Sequence, residues 1–217
     1  MTTAALIPIK LESSRLPGKN IKPFYDGTPL MSFIQRTCLA SSKIDEVYVY
    51  CSSDSVRPYV LEGVTFLKRP AFLDSDSVNA NDIIREFMKT VDADIYVNTH
   101  TTSPFAQPET LDACINSVAS GEYDSAFCAE SVKTFMWQNG KPLNFDLSCF
   151  PRTQDLPKIL AENSIAYVFT RETFTRYGRR VGVRPYIHEV GKIEAIDIDY
   201  PEDFVIADAV YRSLTGK

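Results

Sequence analysis

Short apolar runs of strand length alternate along the chain with segments whose apolar residues recur at helical spacing. The runs that predict strands cover residues 4–9, 46–51, 64–67, 95–98, 125–129, 164–170, 186–190 and 195–198. The segments that predict helices cover residues 30–39, 81–91 and 109–118, and Pro201 opens a closing helix. This β-α alternation predicts an α/β protein with three layers, α/β/α, in which helices cover a mostly parallel sheet.

The alternation loosens after Ser131. Residues 134–157 contain the single Trp, several Pro and Asn residues and no helical period. We therefore predict a single domain over residues 1–217, with an excursion around 134–163 that carries either substrate specificity or a subunit contact.

Composition and charge argue against several classes of protein. A formal net charge of −5 over 217 residues argues against a general nucleic-acid binder, which needs a basic face. No apolar run has the length of a membrane span, and the first residues do not have the pattern of a signal peptide. The five cysteines are widely spaced and include no C-x-x-C pair, which favours reduced thiols in a cytoplasmic protein over a metal site.

Cations and hydroxyls collect where the first predicted strand ends. The segment IPIKLESSRLPGKN places Lys10, Ser13, Arg15 and Lys19 around a Pro-Gly turn. Ligands of parallel sheets bind at the carboxyl ends of the strands, and these side chains suit phosphate oxygens. The segment matches neither G-x-x-x-x-G-K-[ST] nor G-x-G-x-x-G. It predicts an anion-binding loop, and the alternative is a solvated loop whose charges aid solubility.

The order of these residues resembles the first motif of the sugar-activating cytidylyltransferases, the family of CMP-sialic acid and CMP-Kdo synthetases. The match comprises Lys10, Ser13, Arg15, Leu16, Pro17, Lys19 and Asn20. The resemblance implies a Rossmann-like GT-A nucleotidyltransferase fold whose opening loop wraps the triphosphate of CTP. Lys10 stands where the family usually has Arg, and Leu11-Glu12 replaces small residues.

A second matching segment opens the helix that follows residue 78. Family members contact ribose and base at this helix, so the resemblance implies that Asn79, Asn81 and Asp82 bind the nucleotide. Helix capping by the same side chains is the alternative.

The segment after the predicted strand 95–98 is similar to the family's N-x-Q-x-T-S-P. His100 takes the Gln position, which lies near the sugar in sialic-acid-type enzymes. The resemblance therefore implies substrate-binding roles for His100, Thr102 and Ser103, and a structural role for His100 is the alternative.

A further similarity lies at the end of the excursion, where P-R-T-Q-D-L and E-N-S-I-A-Y resemble R-x-Q-D and E-N-G-S-F-Y. These segments flank the acceptor site and the dimer contact in relatives. Arg152 is a candidate for binding an acceptor carboxylate, with Gln154 and Asn163 beside it, and a surface salt bridge is the alternative for Arg152.

Two acidic residues close the predicted site. If residues 195–198 form a strand, Asp197 and Asp199 face the same side, and two such carboxylates repel unless a cation lies between them. Mg²⁺ prefers oxygen ligands and bridges to nucleotide phosphates. The family places the pattern D-I-D-x-P-E-D at its metal site, and the alternative is a charged strand end that leads into a helix.

Together these features predict a cytidylyltransferase that transfers CMP from CTP to an acidic sugar of the sialic or nonulosonic type and releases pyrophosphate. Lys10, Arg15 and Lys19 are the expected catalytic cations, Mg²⁺ the cofactor, and a homodimer the expected assembly. Surface polysaccharide biosynthesis is the expected role. The alternatives are a transferase of this fold with another acidic acceptor or another nucleotide, and a non-catalytic nucleotide-binding or assembly protein.

Overall fold

The computed structural model describes residues 1–11 and 15–216. Its strands are β1 (Thr3–Ile9), β2 (Glu46–Cys51), β3 (Thr65–Lys68), β4 (Ile95–Asn98), β5 (Ser125–Val132), β6 (Trp137–Gln138), β7 (Lys141–Pro142), β8 (Ile159–Thr170) and β9 (Pro185–Val190). Its α-helices are α1 (Leu30–Ala40), α2 (Ala80–Phe87), α3 (Pro108–Ala119), α4 (Arg171–Tyr177) and α5 (Pro201–Thr215).

Seven strands form one sheet in the order β3-β2-β1-β4-β8-β5-β9. All neighbouring pairs are parallel except those of β8, which lies antiparallel to both β4 and β5. The strand order reverses beside β1, because β2 follows on one side of it and β4 on the other. The carboxyl ends of β1 and β4 therefore flank a topological switch point, the place where open α/β sheets bind ligands.

Helices cover both faces of the sheet. Alternate residues of each strand point to opposite faces. On one face they pack against α1 and α3 in a cluster that includes Ile7, Val49 and Val97. On the other face Leu6 and Tyr96 pack against α2 and α4. The three-layer α/β/α fold with a mostly parallel sheet is thus confirmed.

A third apolar cluster joins the loop after β1 to the carboxyl-terminal part of the chain. Leu16 and Phe24 pack there with Ile198 and with Phe204 of α5, and all four side chains are buried. Burial of one such side chain contributes about 1.5–3 kcal/mol. This cluster holds the segment around Asp197 and Asp199 against the cationic loop.

The predicted strand over residues 195–198 is wrong. After β9 the chain turns, Ala195 N–H donates to the carbonyl of Gly191, and Ile198 N–H donates to the carbonyl of Thr102. No ladder forms, because the segment crosses the end of the sheet toward the loop after β4 and does not lie beside a strand.

The short helix α4 was not predicted from the apolar pattern. Thr170 caps its first turn by accepting a hydrogen bond from Thr173 N–H, and Gly178 ends it with φ of 66°. These are ordinary start and stop signals, but the helix between them has only seven residues.

The excursion contains the hairpin β6–β7 and the first half of β8. Four aromatic side chains pack on one another there: Phe135, Trp137, Phe145 and Phe150. Trp137 and Phe150 are exposed. Among the helices of the described residues, none is long and apolar enough to cross a membrane.

Candidate active site

The loop after β1 turns sharply at Gly18, whose φ of 69° lies in the left-handed region that glycine adopts without strain. Gly18 leads into a short 3₁₀ helix that begins at Lys19. The turn brings the Lys19 ammonium back across the end of the sheet, where its side chain is 10% exposed.

The cations of this loop meet a carboxylate from the other end of the chain. Lys19 Nζ lies 3.1 Å from Asp199 Oδ1 and donates to the carbonyl oxygen of Ile198 at 2.8 Å. Arg15 Nη1 lies 2.6 Å from Asp199 Oδ2. Both oxygens of Asp199 are therefore in contact with cations that are predicted to bind phosphate.

Asn20 connects the carboxyl ends of β1 and β4. Its side-chain amide donates to the carbonyl oxygen of Lys10 at 2.8 Å, and its side-chain oxygen accepts from the Thr101 hydroxyl at 2.5 Å. Asn20 is buried and satisfied on both sides. Its role in this structure is to fix the backbone beside Lys10, and a direct nucleotide contact stays a prediction.

Asp197 has the least satisfied carboxylate of the site. Its Oδ1 is buried and accepts no hydrogen bond from the described residues, and its Oδ2 lies 3.5 Å from the Ser164 hydroxyl. Burial raises the pKa of Asp197 and the nearby Asp199 charge adds to this shift, whereas the hydroxyls of Thr102 and Ser164 and the charge of Lys19 oppose it. A carboxylate in this condition is stabilised by an added cation.

The pair fits a magnesium ion, because Mg²⁺ keeps most of its waters and needs only one or two protein carboxylates besides substrate phosphates. Asp197 Oδ1 accepts no hydrogen bond from the described residues and is available to such an ion, whereas both oxygens of Asp199 contact cations. Within the described part of the chain no group of three or more Cys, His, Asp or Glu side chains is placed to hold a metal.

These residues line one cavity of about 410 Å³ at the switch point. Its walls come from β1 and the loop after it, from the segment between β3 and α2, from the loop after β4, from β8 and from the segment before α5. The lining residues are Pro8, Lys10, Arg15, Lys19, Asn20, Asp76, His100, Thr101, Thr102, Ser164, Asp197 and Asp199. The structure thus brings together the cationic loop, two of the predicted substrate-binding residues and the acidic pair.

His100 lines this cavity as a neutral imidazole at neutral pH. Burial lowers the pKa of His100 to about 4, and the charges of Arg180 and Lys19 add to the shift. A neutral imidazole can donate one hydrogen bond and accept another, which suits contact with a hydroxyl group.

Three predicted nucleotide-binding residues hold the start of α2. Asn79 caps the helix and accepts from Asn81 N–H and Asp82 N–H, while Asp82 accepts from Asn79 N–H and pairs with Arg85. The side-chain oxygen of Asn81 accepts a hydrogen bond from the backbone N–H of Arg180 at 3.3 Å. None of these three side chains lines the cavity, so their contact with a nucleotide stays a prediction.

The other predicted substrate-binding residues lie outside the cavity lining. Arg152 is exposed and its guanidinium contacts both oxygens of Asp155, at 2.7 and 3.2 Å. Gln154 is exposed, and Ser103 is buried. Asn163 accepts from Ile165 N–H, and its amide nitrogen is buried without a partner among the described residues. Ser13 lies outside the described residues.

Asp76, which lines the cavity, and Arg180, which lies beside it, were both missed in the sequence. Asp76 Oδ1 lies 2.7 Å from Lys10 Nζ, and Arg180 lies close enough to His100 to affect its pKa. Asp76 stands in a Ser-rich loop and Arg180 in a short Arg-Arg segment after α4, and neither context carries a recognisable motif.

Cations around a cavity at the carboxyl edge of an α/β sheet are typical of the class of proteins that bind phosphorylated ligands there. The family model described as cytidylyltransferase matches residues 4–208. The chain therefore belongs to the cytidylyltransferase family, as its motifs predicted.

The curated relatives include both N-acylneuraminate cytidylyltransferases and 3-deoxy-manno-octulosonate cytidylyltransferases. The chain is 30% identical to the N-acylneuraminate cytidylyltransferase of Oncorhynchus mykiss, over 94% of this chain and 49% of the relative. It is 29% identical to the 3-deoxy-manno-octulosonate cytidylyltransferase of Synechococcus elongatus, over 80% of this chain and 76% of the relative. The chain thus spans about half the length of the N-acylneuraminate enzymes that it matches.

Solved structures support the fold. CMP:2-keto-3-deoxy-manno-octonic acid synthetase complexed with CTP aligns with a TM-score of 0.76 at 18% identity, over 99% of this chain and 100% of that one. A 4-diphosphocytidyl-2C-methyl-D-erythritol synthase from Anaerococcus prevotii aligns with a TM-score of 0.67 at 14% identity, over 97% of this chain and 96% of that one.

Proposed function

We propose that this protein transfers CMP from CTP to an acidic sugar, a 3-deoxy-2-keto acid of the sialic or nonulosonic type, and releases pyrophosphate. One observation carries the proposal: Lys10, Arg15, Lys19, Asp197 and Asp199 all line a single cavity, in which Arg15 and Lys19 contact Asp199 directly. The names of the relatives supply the nucleotide and the class of acceptor.

The three cations bind the triphosphate. Arg15 forks onto two phosphate oxygens, whereas Lys10 and Lys19 each act as point charges. Their present partners are the carboxylates of Asp199 and Asp76, so phosphate oxygens replace carboxylate oxygens around the same nitrogen atoms. This exchange releases Asp199 at the moment the nucleotide arrives.

The oxygen of the acceptor hydroxyl forms a bond to the α-phosphorus and releases its proton to water, while the bond from the α-phosphorus to the oxygen that bridges the α- and β-phosphates breaks and pyrophosphate leaves with that oxygen. Catalysis comes from positioning and from neutralising the charge that develops on the phosphate oxygens. Asp197 and Asp199 would hold Mg²⁺, which supplies further neutralisation of phosphate charge when it is bound. His100 and Thr102 line the same cavity and offer hydrogen bonds to the acceptor.

The wider setting is also a proposal. A cytoplasmic enzyme that makes a CMP-sugar would supply surface polysaccharide biosynthesis. The exposed aromatic cluster around Trp137 and Phe150 would form the homodimer contact, because a large apolar patch on a protein surface marks an interaction site.

Pyrophosphate release tests the activity. The protein is mixed with Mg²⁺, each of the four ribonucleoside triphosphates, and a panel that includes N-acetylneuraminate and 3-deoxy-manno-octulosonate. Release with CTP and one of the acids supports the proposal. Binding of nucleotide without turnover on any acid would instead favour a non-catalytic protein, and release with another nucleotide would favour a transferase of different specificity.

A variant pair links that activity to the cavity. Lys10→Ala raises the apparent KM for CTP, because one phosphate contact is lost, whereas Lys141→Ala in the exposed hairpin leaves it unchanged. Equal kinetics in both variants would remove the cationic loop from the site.

A further inference from the structure

Arg180 is a half-buried cation beside the cavity, in the loop between α4 and β9. Its guanidinium lies over the ring of Tyr167, 3.3 Å from the ring centroid, and its Nη1 donates to Asn98 Oδ1 at 3.0 Å. Asn98 and Tyr167 are paired across β4 and β8, and both are buried. These contacts fix the plane of the guanidinium against the sheet.

No carboxylate of the described residues lies within ion-pair distance of this guanidinium. Glu162 acts on it from farther away and accepts a hydrogen bond from the Tyr167 hydroxyl at 2.5 Å. Burial lowers the pKa of Arg180. A partly desolvated cation without a paired anion is unfavourable, and an anion supplied by a ligand relieves that condition. Arg152, by contrast, already has Asp155 on both of its contacting nitrogen atoms.

Arg180 does not itself line the cavity, but its hydrogen-bond partner Asn98 ends β4, the strand from which the cavity-lining residues 100–102 continue. Asn98 and His100 are two residues apart at the end of β4, a spacing of about 7 Å along an extended chain. His100 lines the cavity and is affected by the charge of Arg180. The guanidinium therefore lies near His100 at the border of the cavity, and a ligand would have to extend past His100 to bring an anionic group to it.

Arg180 lies at a different position across the sheet from Lys10, Arg15 and Lys19, which belong to the loop after β1. Lys10 follows β1, His100 follows β4, and Arg180 covers the boundary between β4 and β8, the next strand across the sheet. A triphosphate held at the end of β1 leaves Arg180 to the other substrate. The anion available on a sugar acid is its carboxylate, which matches a guanidinium fork.

We propose that Arg180 binds the carboxylate of the acceptor acid, beside His100, and that Arg152 does not. This inference rests on the proposed function, because it assumes an acidic acceptor in the cavity with CTP. It deepens that function by assigning the residue that selects an acid over a neutral sugar.

The test compares the wild type with Arg180→Gln, Arg180→Lys and the control Arg152→Gln. Pyrophosphate release is measured with CTP and the better substrate of N-acetylneuraminate and 3-deoxy-manno-octulosonate, and then with the methyl ester of that acid. Arg180→Gln raises the KM for the acid about tenfold to a hundredfold, the range of a lost charge-assisted contact, and leaves the KM for CTP within about twofold. Arg180→Lys is intermediate, and Arg152→Gln behaves as the wild type.

The ester separates recognition from a structural role. The wild type discriminates strongly between acid and ester, and Arg180→Gln loses that discrimination, whereas a variant that merely loosens the loop affects both compounds and CTP alike. Should Arg180→Gln fail to fold in a thermal unfolding assay, the KM of Arg180→Lys decides alone.

Each other outcome overturns the inference. An unchanged KM for the acid in folded Arg180 variants refutes it and leaves the proposed function in place, and so does a raised KM in Arg152→Gln only. Absence of pyrophosphate release from the wild type with either acid refutes the proposed function, and this inference with it.

Discussion

Replacing Lys19 by Gln removes the most buried cation of the site and has consequences for both stability and binding. The Lys19 ammonium donates to the carbonyl of Ile198 and contacts Asp199, and its side chain is 10% exposed. A hydrogen bond from a charged group contributes about 1.5–3 kcal/mol. Asp199 keeps Arg15 as a partner, so we expect a loss of about 2 kcal/mol in the free energy of unfolding.

Comparison with Arg15→Gln separates the effect on stability from the effect on CTP binding. The Arg15 side chain is 48% exposed, and an exposed ion pair is worth less than about 1 kcal/mol. Each variant loses one cation that binds phosphate, so each raises the apparent KM for CTP about tenfold to a hundredfold. Lys19→Gln alone lowers the melting temperature substantially, by about 4–8 °C for a chain of this length.

Two assays check these values. Thermal unfolding without ligand gives the stability difference, and pyrophosphate release at saturating acceptor gives the KM for CTP. Lys141→Gln, in the exposed hairpin, controls for the loss of one lysine charge. A Lys19→Gln protein with the melting temperature and KM of the wild type would refute the assignment of Lys19 to both the ion pair and the nucleotide.

Three further predictions concern single groups. His100 has a pKa of about 4 in the folded protein and about 6.5 in the unfolded chain, so the unfolded chain binds a proton first as the pH falls. The stability that His100 contributes is therefore fully present above pH 6.5 and is lost as the pH falls from about 6.5 to about 4. In His100→Gln the melting temperature falls less over this pH range. Asp197→Asn abolishes pyrophosphate release yet raises the melting temperature at neutral pH, because the charged form of this carboxylate is disfavoured by folding; a lower melting temperature contradicts this. Cys149 is exposed and the other four thiols are buried, so a thiol reagent modifies one cysteine of the native protein rapidly, and Cys149→Ser eliminates that phase.

The sheet and most helices could be predicted from the apolar pattern because their packing repeats along the chain. β4 was predicted with the bounds that the structure has, and α1 to within one residue. The segment over residues 195–198 has an equally apolar alternation but no neighbouring strand, since its course depends on the Thr102 carbonyl almost a hundred residues earlier. Local pattern cannot report such a contact.

In the candidate site, too, some features could be predicted from the sequence and others could not. The motifs predict that Lys10, Arg15, Lys19, Asp197 and Asp199 share one site, because the order of these motifs along the chain is characteristic of the family. The structure places all five around one cavity, and their individual roles stay predictions. The acidic pair lines that cavity although the strand expected to present it does not form.

The residue that we propose for acceptor binding, Arg180, could not be predicted from the sequence. Arg152 stands in a family-like motif, yet its guanidinium is neutralised by Asp155. Arg180 stands in no motif. It was identified because it is partly buried, stacks on Tyr167 and has no ion-pair partner among the described residues. These are properties of three-dimensional packing and leave no trace in spacing.

A crystal structure obtained with CTP and Mn²⁺ tests the central claim most directly. We predict an anomalous manganese peak within coordination distance of a carboxylate oxygen of Asp197, with the triphosphate between that ion and the nitrogen atoms of Lys10, Arg15 and Lys19. Arg15 would then have left Asp199. A nucleotide bound elsewhere, or a triphosphate that contacts neither the loop after β1 nor the ion at Asp197, would contradict the account.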